Sequence, residues 1–294
     1  MRIGVFTQPP TVSAAVEEVR RVADAGFASV WMPQIFGIDA VTALTVAARE
    51  VPDVELGTAV VPTFPRHPMM LAAQALTLQQ VAGGRFTLGI GLSHQLVIEG
   101  MLGFSWDKPV RHLREYLSIL LPLVRGEASE FEGETLTGKL ALDIPDAAPV
   151  PVLVAALGSQ MLGVAGRMAE GTVTWMTGPA TIGDHVAPTI GAAAAEAGRP
   201  APRVVCALPV CVTDDEAAAR ERAAEQFQMY GFLPSYRAML DREGAAGPAD
   251  VAIVGDAAAV AAGVERVREA GATEFVAVPY GNREATLEVL ADLR

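Results

Sequence analysis

Ala169-Glu170-Gly171-Thr172-Val173-Thr174-Trp175-Met176 is the stretch whose reading decides the fold. A glycine closes a helical run and feeds at once a β-branched strand with almost no polar alternation. A strand lacking alternation is buried on both faces, which is the condition of strands in parallel sheets covered by helices. The glycine supplies the left-handed stop that lets a helix turn back directly into such a strand. The same junction recurs at Asp24-Ala25-Gly26-Phe27, Val81-Ala82-Gly83-Gly84 and Glu269-Ala270-Gly271. Phe275-Val276-Ala277-Val278 repeats the continuously apolar strand that follows it.

Working outward, periodicity predicts strands over 2–7, 29–32, 55–61, 86–91, 152–156, 172–176, 203–212 and 274–279. Between them it predicts helices over 12–25, 38–49, 68–81, 109–125, 160–169, 182–197, 214–230, 257–270 and 283–293. Residues 130–145 break the rhythm, with Phe131, Leu136, Leu140 and Leu142 around Gly133 and Gly138 suggesting a small β-excursion. A Gly/Ala/Pro-rich stretch after residue 230 is left without elements. Eight strand–helix units in 294 residues fit an α/β fold of the (β/α)8 TIM-barrel type, in one domain over 1–294. A doubly wound open sheet is the alternative on this evidence alone.

Composition narrows the function classes. A formal charge of −12 repels polyphosphate backbones, and the densest basic stretch, Arg111-His112 with Arg114, is broken at once by Glu115. Nucleic acid is therefore excluded as a partner. Only 19% of residues are charged against 51% hydrophobic, so a large core is expected and disorder is excluded. Mean hydropathy is +0.33, yet no apolar run approaches the ~18 residues of a membrane span. The N-terminus enters a strand directly, without a leader pattern, so the expected location is cytoplasmic. Cys206 and Cys211 are too few for a disulfide framework or a zinc site and read as small buried hydrophobes.

In a barrel the active site lies beyond the C-terminal strand ends. Those ends carry no carboxylate pair, no Schiff-base lysine and no cluster of metal ligands; they are apolar, aromatic and amide-rich. Such a lining suits a flat organic cofactor that performs the hard chemistry, with the protein supplying shape and orientation. Gly158-Ser159-Gln160 joins a strand to a helix, so its backbone amides offer an anion site, or else form an ordinary helix cap. Gly89-Ile90-Gly91 lacks the third glycine of a dinucleotide loop, and no Gly-Lys-[Ser/Thr] occurs. His94 at the fourth strand's tip is the first titratable candidate and His67 the second; His112 and His185 read as structural.

Leu56-Gly57-Thr58-Ala59-Val60-Val61-Pro62-Thr63-Phe64-Pro65-Arg66-His67-Pro68 resembles the third-strand signature of luciferase-like oxidoreductases. Gly84-Arg85-Phe86-Thr87-Leu88-Gly89-Ile90-Gly91 is similar to their fourth strand, and Ala156-Leu157-Gly158-Ser159-Gln160-Met161 to their phosphate loop. Val254-Gly255-Asp256 and Ala270–Phe275 match as well, so the resemblance covers nearly the whole chain. It is nearest to the actinobacterial branch that uses the deazaflavin coenzyme F420, with FMN as the alternative cofactor. The resemblance implies a non-prolyl cis peptide at Ala59-Val60, bulging behind the deazaflavin ring. It implies phosphate binding by Gly158, Ser159 and Gln160. Gln34, Thr58, Ser93, His94, Leu96 and Val97 would border the ring and its side chain, with Trp175, Met176 and Thr177 opposite.

Departures from the family pattern bear on direction. The sugar-phosphate dehydrogenase branch has an Asp-His pair after strand two, where this chain has Gln34 and Ile35, and an acidic residue where it has His94. Without that base, the expected reaction is hydride transfer from reduced F420 to an activated C=C or C=N bond, with His94 or His67 as proton donor. The rivals are an FMN-dependent monooxygenase, a non-catalytic deazaflavin-binding protein, and a cofactor-free barrel lyase or hydrolase. Phe36, Phe64, Trp106, Phe232 and Tyr280 suggest a small hydrophobic or ring-containing substrate. The apolar helix over 68–81, with Met69, Met70, Leu71, Leu76 and Leu78, suggests a homodimer. Arg66 and His67 are the expected cations for an anionic tail leaving the site.

Overall fold

Eight parallel strands close into a ring in the computed structural model, which describes residues 1–294. They are β1 (Arg2–Phe6), β2 (Ser29–Met32), β3 (Glu55–Thr58), β4 (Phe86–Gly91), β5 (Val152–Val154), β6 (Gly171–Trp175), β7 (Arg203–Val212) and β8 (Glu274–Pro279). Each pairs with its sequence neighbours, and β1 joins β8 through Ile3 opposite Phe275 and Val5 opposite Ala277. That last pairing shuts the barrel and rules out the open-sheet alternative.

Outside lie α1 (Val12–Asp24), α2 (Ala40–Glu50), α3 (Pro68–Ala82), α4 (Pro109–Val124), α5 (Ser159–Met168), α6 (Ala187–Glu196), α7 (Ala257–Glu269) and α8 (Arg283–Asp292). Their starts follow from short polar side chains: Thr11, Asp39, Asp256 and Asn282 each accept from a backbone amide in the first turn. Gly83, at φ 60°, closes α3 in the left-handed conformation. No helix is long and apolar enough to cross a membrane.

Inside the barrel, Trp31, Leu153, Val173, Val205, Ala207 and Val276 form a compact apolar plug. Beneath it the N-terminal end is closed by charge. Arg203 donates to Glu274 at 2.8 Å and to Glu55 at 3.1 Å, and Ser29 and the Trp31 indole both donate to Glu274. This mutual pairing satisfies a Glu274 that is 1% exposed. The opposite end is left open to carry the site.

The β-excursion is a hairpin, Ser129–Glu132 against Thr137–Leu140, laid on α4. The Glu115 carboxylate from α4 fixes its turn, accepting from the amides of Glu134, Thr135 and Leu136 and from the Thr135 hydroxyl.

Three stretches differ from the periodicity reading. The helix expected over 182–197 begins as a π-turn, Ile182–Val186, before α6. Pro188 has no amide hydrogen to return to Asp184, and the Ala187 amide reaches back to Ile182 instead. The helix expected over 214–230 stops at Gln226, and a 3-10 turn, Gln228–Gly231, follows. The stretch left without elements holds a helix, Pro234–Glu243, and a further short strand, Ile253–Gly255, that pairs only with the top of β7.

Candidate functional site

The floor of the barrel mouth is a break in β3. The Ala59-Val60 peptide is cis, as the resemblance implied, and the strand resumes at Val61–Pro62 against Ile90 and Gly91. The Thr58 hydroxyl stands in for the interrupted ladder: it donates to the Gly89 carbonyl at 2.8 Å and accepts from the Gly89 amide at 2.9 Å. Only glycine fits there, because a Cβ on Gly89 would sit 1.9 Å from the Thr58 carbonyl oxygen. A Cβ on Gly91 would meet Val60 at 2.7 Å and Ala155 at 3.2 Å, so small residues keep the floor flat.

On one side of this floor, α5 starts without a side-chain cap: Gly158 is its N-cap residue, and Gly158, Ser159 and Gln160 are all exposed. The first intrahelical bond is made by Leu162, which leaves the preceding amides free to bind an anion. The neighbouring helix start is closed, because Glu243 accepts from the amides of Ala180 and Thr181.

The walls are strained at two matching places. Ser93 after β4 has φ 66° and Met176 after β6 has φ 53°, both in the left-handed region that non-glycine residues rarely occupy. From these tips an aromatic ladder crosses the mouth. Trp175 meets Phe227 and Tyr230 edge-on at 5.7 and 5.6 Å, Tyr230 meets Tyr236 at 5.2 Å, and Tyr236 meets His94 at 5.7 Å. Phe227, Tyr230 and Tyr236 all come from the segment between β7 and α7, which roofs the site.

Of the four histidines, three have a ring nitrogen bonded to the chain. His67 caps α3 by accepting from Met69 and bonds through Nε2 to the Thr137 carbonyl. His112 bonds to the Thr63 hydroxyl at 3.0 Å and stacks on Phe64 at 3.9 Å. His185 donates to the Leu157 carbonyl at 2.8 Å. His94 does not even cap the short helix Gln95–Gly100 that follows it. Burial lowers the His94 pKa from its ordinary value near 6.5, so the imidazole is neutral at pH 7.

The other expected residues fall into two groups. Ala59, Val60, Ser93, His94, Val97 and Trp175 are half-buried at the mouth, and Leu96 is exposed on its rim. Thr58, Met176 and Thr177 are fully buried, and the Thr177 hydroxyl donates to the Trp175 carbonyl, so these three shape the backbone behind the surface. Gln34 spends its amide on the Ala40 amide and the Ile35 carbonyl. Arg66 is not free for an anionic tail: it pairs with Asp39 and donates to Gln74. Phe36 and Phe232 are exposed at the open end, Phe64 and Trp106 stack at 5.2 Å, and Tyr280 is buried with its hydroxyl on Ala219. Leu71, Leu76 and Leu78 of α3 face the core, leaving Met70 and Val81 as its exposed apolar side chains. The reading from sequence missed Phe227, Tyr230 and Tyr236, whose only signal was aromatic spacing in a stretch of mixed composition, and Glu243, which carried no signal of its own. No group of three His, Cys, Asp or Glu residues is placed to hold a metal ion.

Comparison with known proteins finds relatives by sequence and a matching fold. The chain is 29% identical over 205 residues to a 5,10-methylenetetrahydromethanopterin reductase of Methanolobus tindarius, covering 68% of this chain and 61% of that protein. It is 31% identical over 229 residues to a Mycobacterium tuberculosis protein named as a coenzyme F420-dependent oxidoreductase, covering 72% and 65% respectively. The chain thus spans less than two thirds of the length of these curated relatives. Its fold matches the coenzyme F420-dependent tetrahydromethanopterin reductase structure of Methanopyrus kandleri with a TM-score of 0.84, at 21% identity over 99% of this chain and 97% of that one. The family model described as luciferase-like monooxygenase matches residues 1–274, and the chain belongs to that family.

Proposed function

We propose that this protein is a coenzyme F420-dependent oxidoreductase that reduces an activated C=C or C=N bond of a small hydrophobic substrate. The observation that carries the reading is a flat, glycine-cleared floor beside an uncapped helix start. A planar ring with a phosphate-bearing side chain needs both. Gly158, Ser159 and Gln160 would hold the phosphate; Ala59 and Val60 would back the ring, with Trp175 and Ser93 at its edges. When bound, the reduced deazaflavin supplies a hydride.

What remains is done by the chain's own residues. The aromatic roof keeps water from the mouth, which strengthens every polar interaction inside it. His94, neutral through burial, offers an N–H to the substrate atom beside the carbon being reduced, and in its protonated form delivers the proton. His67 is less suited, since both its ring nitrogens are engaged. Gln34, Ile35 and His94 stand at the tips after β2 and β4, and the Asp39 carboxylate of the β2–α2 loop is taken up by Arg66 and the Thr42 amide, which favours the reducing direction. Homodimer formation through the outer face of α2 and α3, where Val46 and Met70 are exposed, and a cytoplasmic location complete the proposal.

Parallel equilibrium titrations with F420 and FMN test the cofactor, and an oxygen electrode tests the chemistry. The reading expects tighter F420 binding, turnover of an alkene or imine panel, and no oxygen uptake. FMN preference with oxygen uptake would replace it by the monooxygenase reading. Tight F420 binding without turnover of any panel member would replace it by the non-catalytic one.

A further inference from the structure

The π-turn between β6 and α6 carries a buried histidine that the site described so far does not use. His185 is 7% exposed, and its Nε2 donates to the Leu157 carbonyl at 2.8 Å. Because a carbonyl only accepts, the hydrogen bond fixes the proton on Nε2. Leu157 directly precedes Gly158, the N-cap of α5, so its peptide plane sets the direction of the Gly158 amide and the loop's entry into the helix. Gly158 has no side chain to stiffen it, and nothing lies within 4 Å of its Cβ position. No side chain of the loop caps the helix either. The free amides that define the anion site therefore take their alignment from outside the loop.

The support for His185 is itself anchored. Its segment begins with the amides of Ala180 and Thr181 held by Glu243, and the Thr181 hydroxyl donates to the Met239 carbonyl at 3.2 Å. Both partners lie on the helix Pro234–Glu243, which also carries Tyr236 of the roof. His185 sits within the π-turn, and such turns recur at functional sites.

We infer that His185 is a positioning residue for phosphate recognition: it holds the Leu157 peptide so that the Gly158–Gln160 amides converge on the phosphate of the cofactor's side chain. This rests on the function proposed above for the phosphate loop.

The test compares F420 with a deazaflavin that lacks the phosphate and the acidic tail beyond it. Wild type, His185→Phe and His185→Gln are titrated by fluorescence with F420 and with a phosphate-free deazaflavin, 5-deazariboflavin. Losing one aligning hydrogen bond to a shared anion site is expected to weaken F420 binding about tenfold in His185→Phe. Binding of the phosphate-free ring stays within twofold of wild type, and His185→Gln, which keeps a donor, recovers most of the F420 affinity. Equal losses for both ligands, or no loss for either, overturn the inference. A His185→Phe protein that does not fold leaves the His185→Gln and wild-type pair to decide it: a glutamine variant that keeps phosphate-free binding but loses F420 binding beyond fivefold also overturns the donor role. Wild type that binds neither deazaflavin refutes the proposed cofactor instead, a result distinct from all of these.

Discussion

Thr58→Val isolates what the bulge at the floor of the mouth depends on. Thr58 is fully buried and its hydroxyl makes two bonds to Gly89, one as donor and one as acceptor. Valine fills nearly the same space but leaves the Gly89 amide buried without its acceptor, at a cost of about 1–3 kcal/mol. The Gly89 carbonyl loses a donor as well, adding roughly 1 kcal/mol. A total near 2–4 kcal/mol divided by an unfolding entropy of about 0.6 kcal/mol/K, from ~2.1 cal/mol/K per residue, gives a Tm lower by about 3–6 °C. Calorimetry reads the shift, and urea titration gives the free energy independently. Thr58→Ser keeps the hydroxyl and loses one methyl, so it should recover most of the difference. F420 affinity should fall with Thr58→Val, because the floor shifts with the bulge, and recover with Thr58→Ser. A valine variant melting within about 1 °C of wild type, or a serine variant as unstable as the valine one, would refute the bracing role.

Other perturbations read different parts of the site. His94→Gln should lower kcat at least tenfold and flatten the pH profile; in wild type the rate should rise as pH falls through a His94 pKa below 6.5, because the donor is the protonated form. A profile unchanged by the substitution would remove His94 from proton transfer. Gly91→Val sets methyl groups between Val60 and Ala155, at the proposed floor of the ring, and should weaken F420 binding at least tenfold with a loss of a few degrees in Tm. Unchanged affinity would mean that the ring lies elsewhere. Burial opposes the charge of Glu115, yet the hydroxyl and amide of Thr135, the Leu136 amide and Arg111 outweigh it and hold its pKa below 4.5. Its contribution to stability is therefore complete above that unfolded value and lost as pH falls through the lower folded one. Glu115→Gln should cost about 2–3 kcal/mol in urea unfolding at pH 7, with the gap to wild type narrowing in acid. A gap independent of pH would contradict the linkage.

The barrel was legible because its strands are buried on both faces and most of its helix-to-strand turns are glycine stops: Gly271, at φ 97°, stands between α7 and β8 as expected, whereas Gly171 is itself the first paired residue of β6 and α5 ends on an extended Ala169 instead. The floor was legible only through resemblance, since no propensity marks Ala59-Val60 as cis. Arg66 shows the limit of proximity in sequence. It follows the β3 tip closely, but Asp39 comes from the start of α2 and claims it, a pairing that no local pattern records. The roof was illegible for a related reason. Phe227, Tyr230 and Tyr236 lie in a segment whose hydrophobic spacing fits no single period, because it crosses the mouth of the barrel rather than lining one face of it. Glu243 reads as a surface helix carboxylate until the fold brings Ala180 and Thr181 to it.

The separation of charge between the two barrel ends is what would let a chain at −12 take the proposed anionic cofactor. Glu55 and Glu274 lie at the closed N-terminal end, neutralised by Arg2 and Arg203. Near the open end, Asp39 is neutralised by Arg66, and Glu243 is taken up by backbone amides. The proposed phosphate side of the mouth then presents the backbone amides of an uncapped helix start. Affinity built on amides and a helix dipole at close range is screened by salt far less than affinity built on lysine and arginine side chains in solvent. The F420 dissociation constant should accordingly change less than about threefold between 50 and 500 mM NaCl, and lengthening the acidic tail of the cofactor should not tighten binding. A steep salt dependence, or tighter binding of longer tails, would require a cation at the mouth, and the pairing of Arg66 with Asp39 would then have to open on binding.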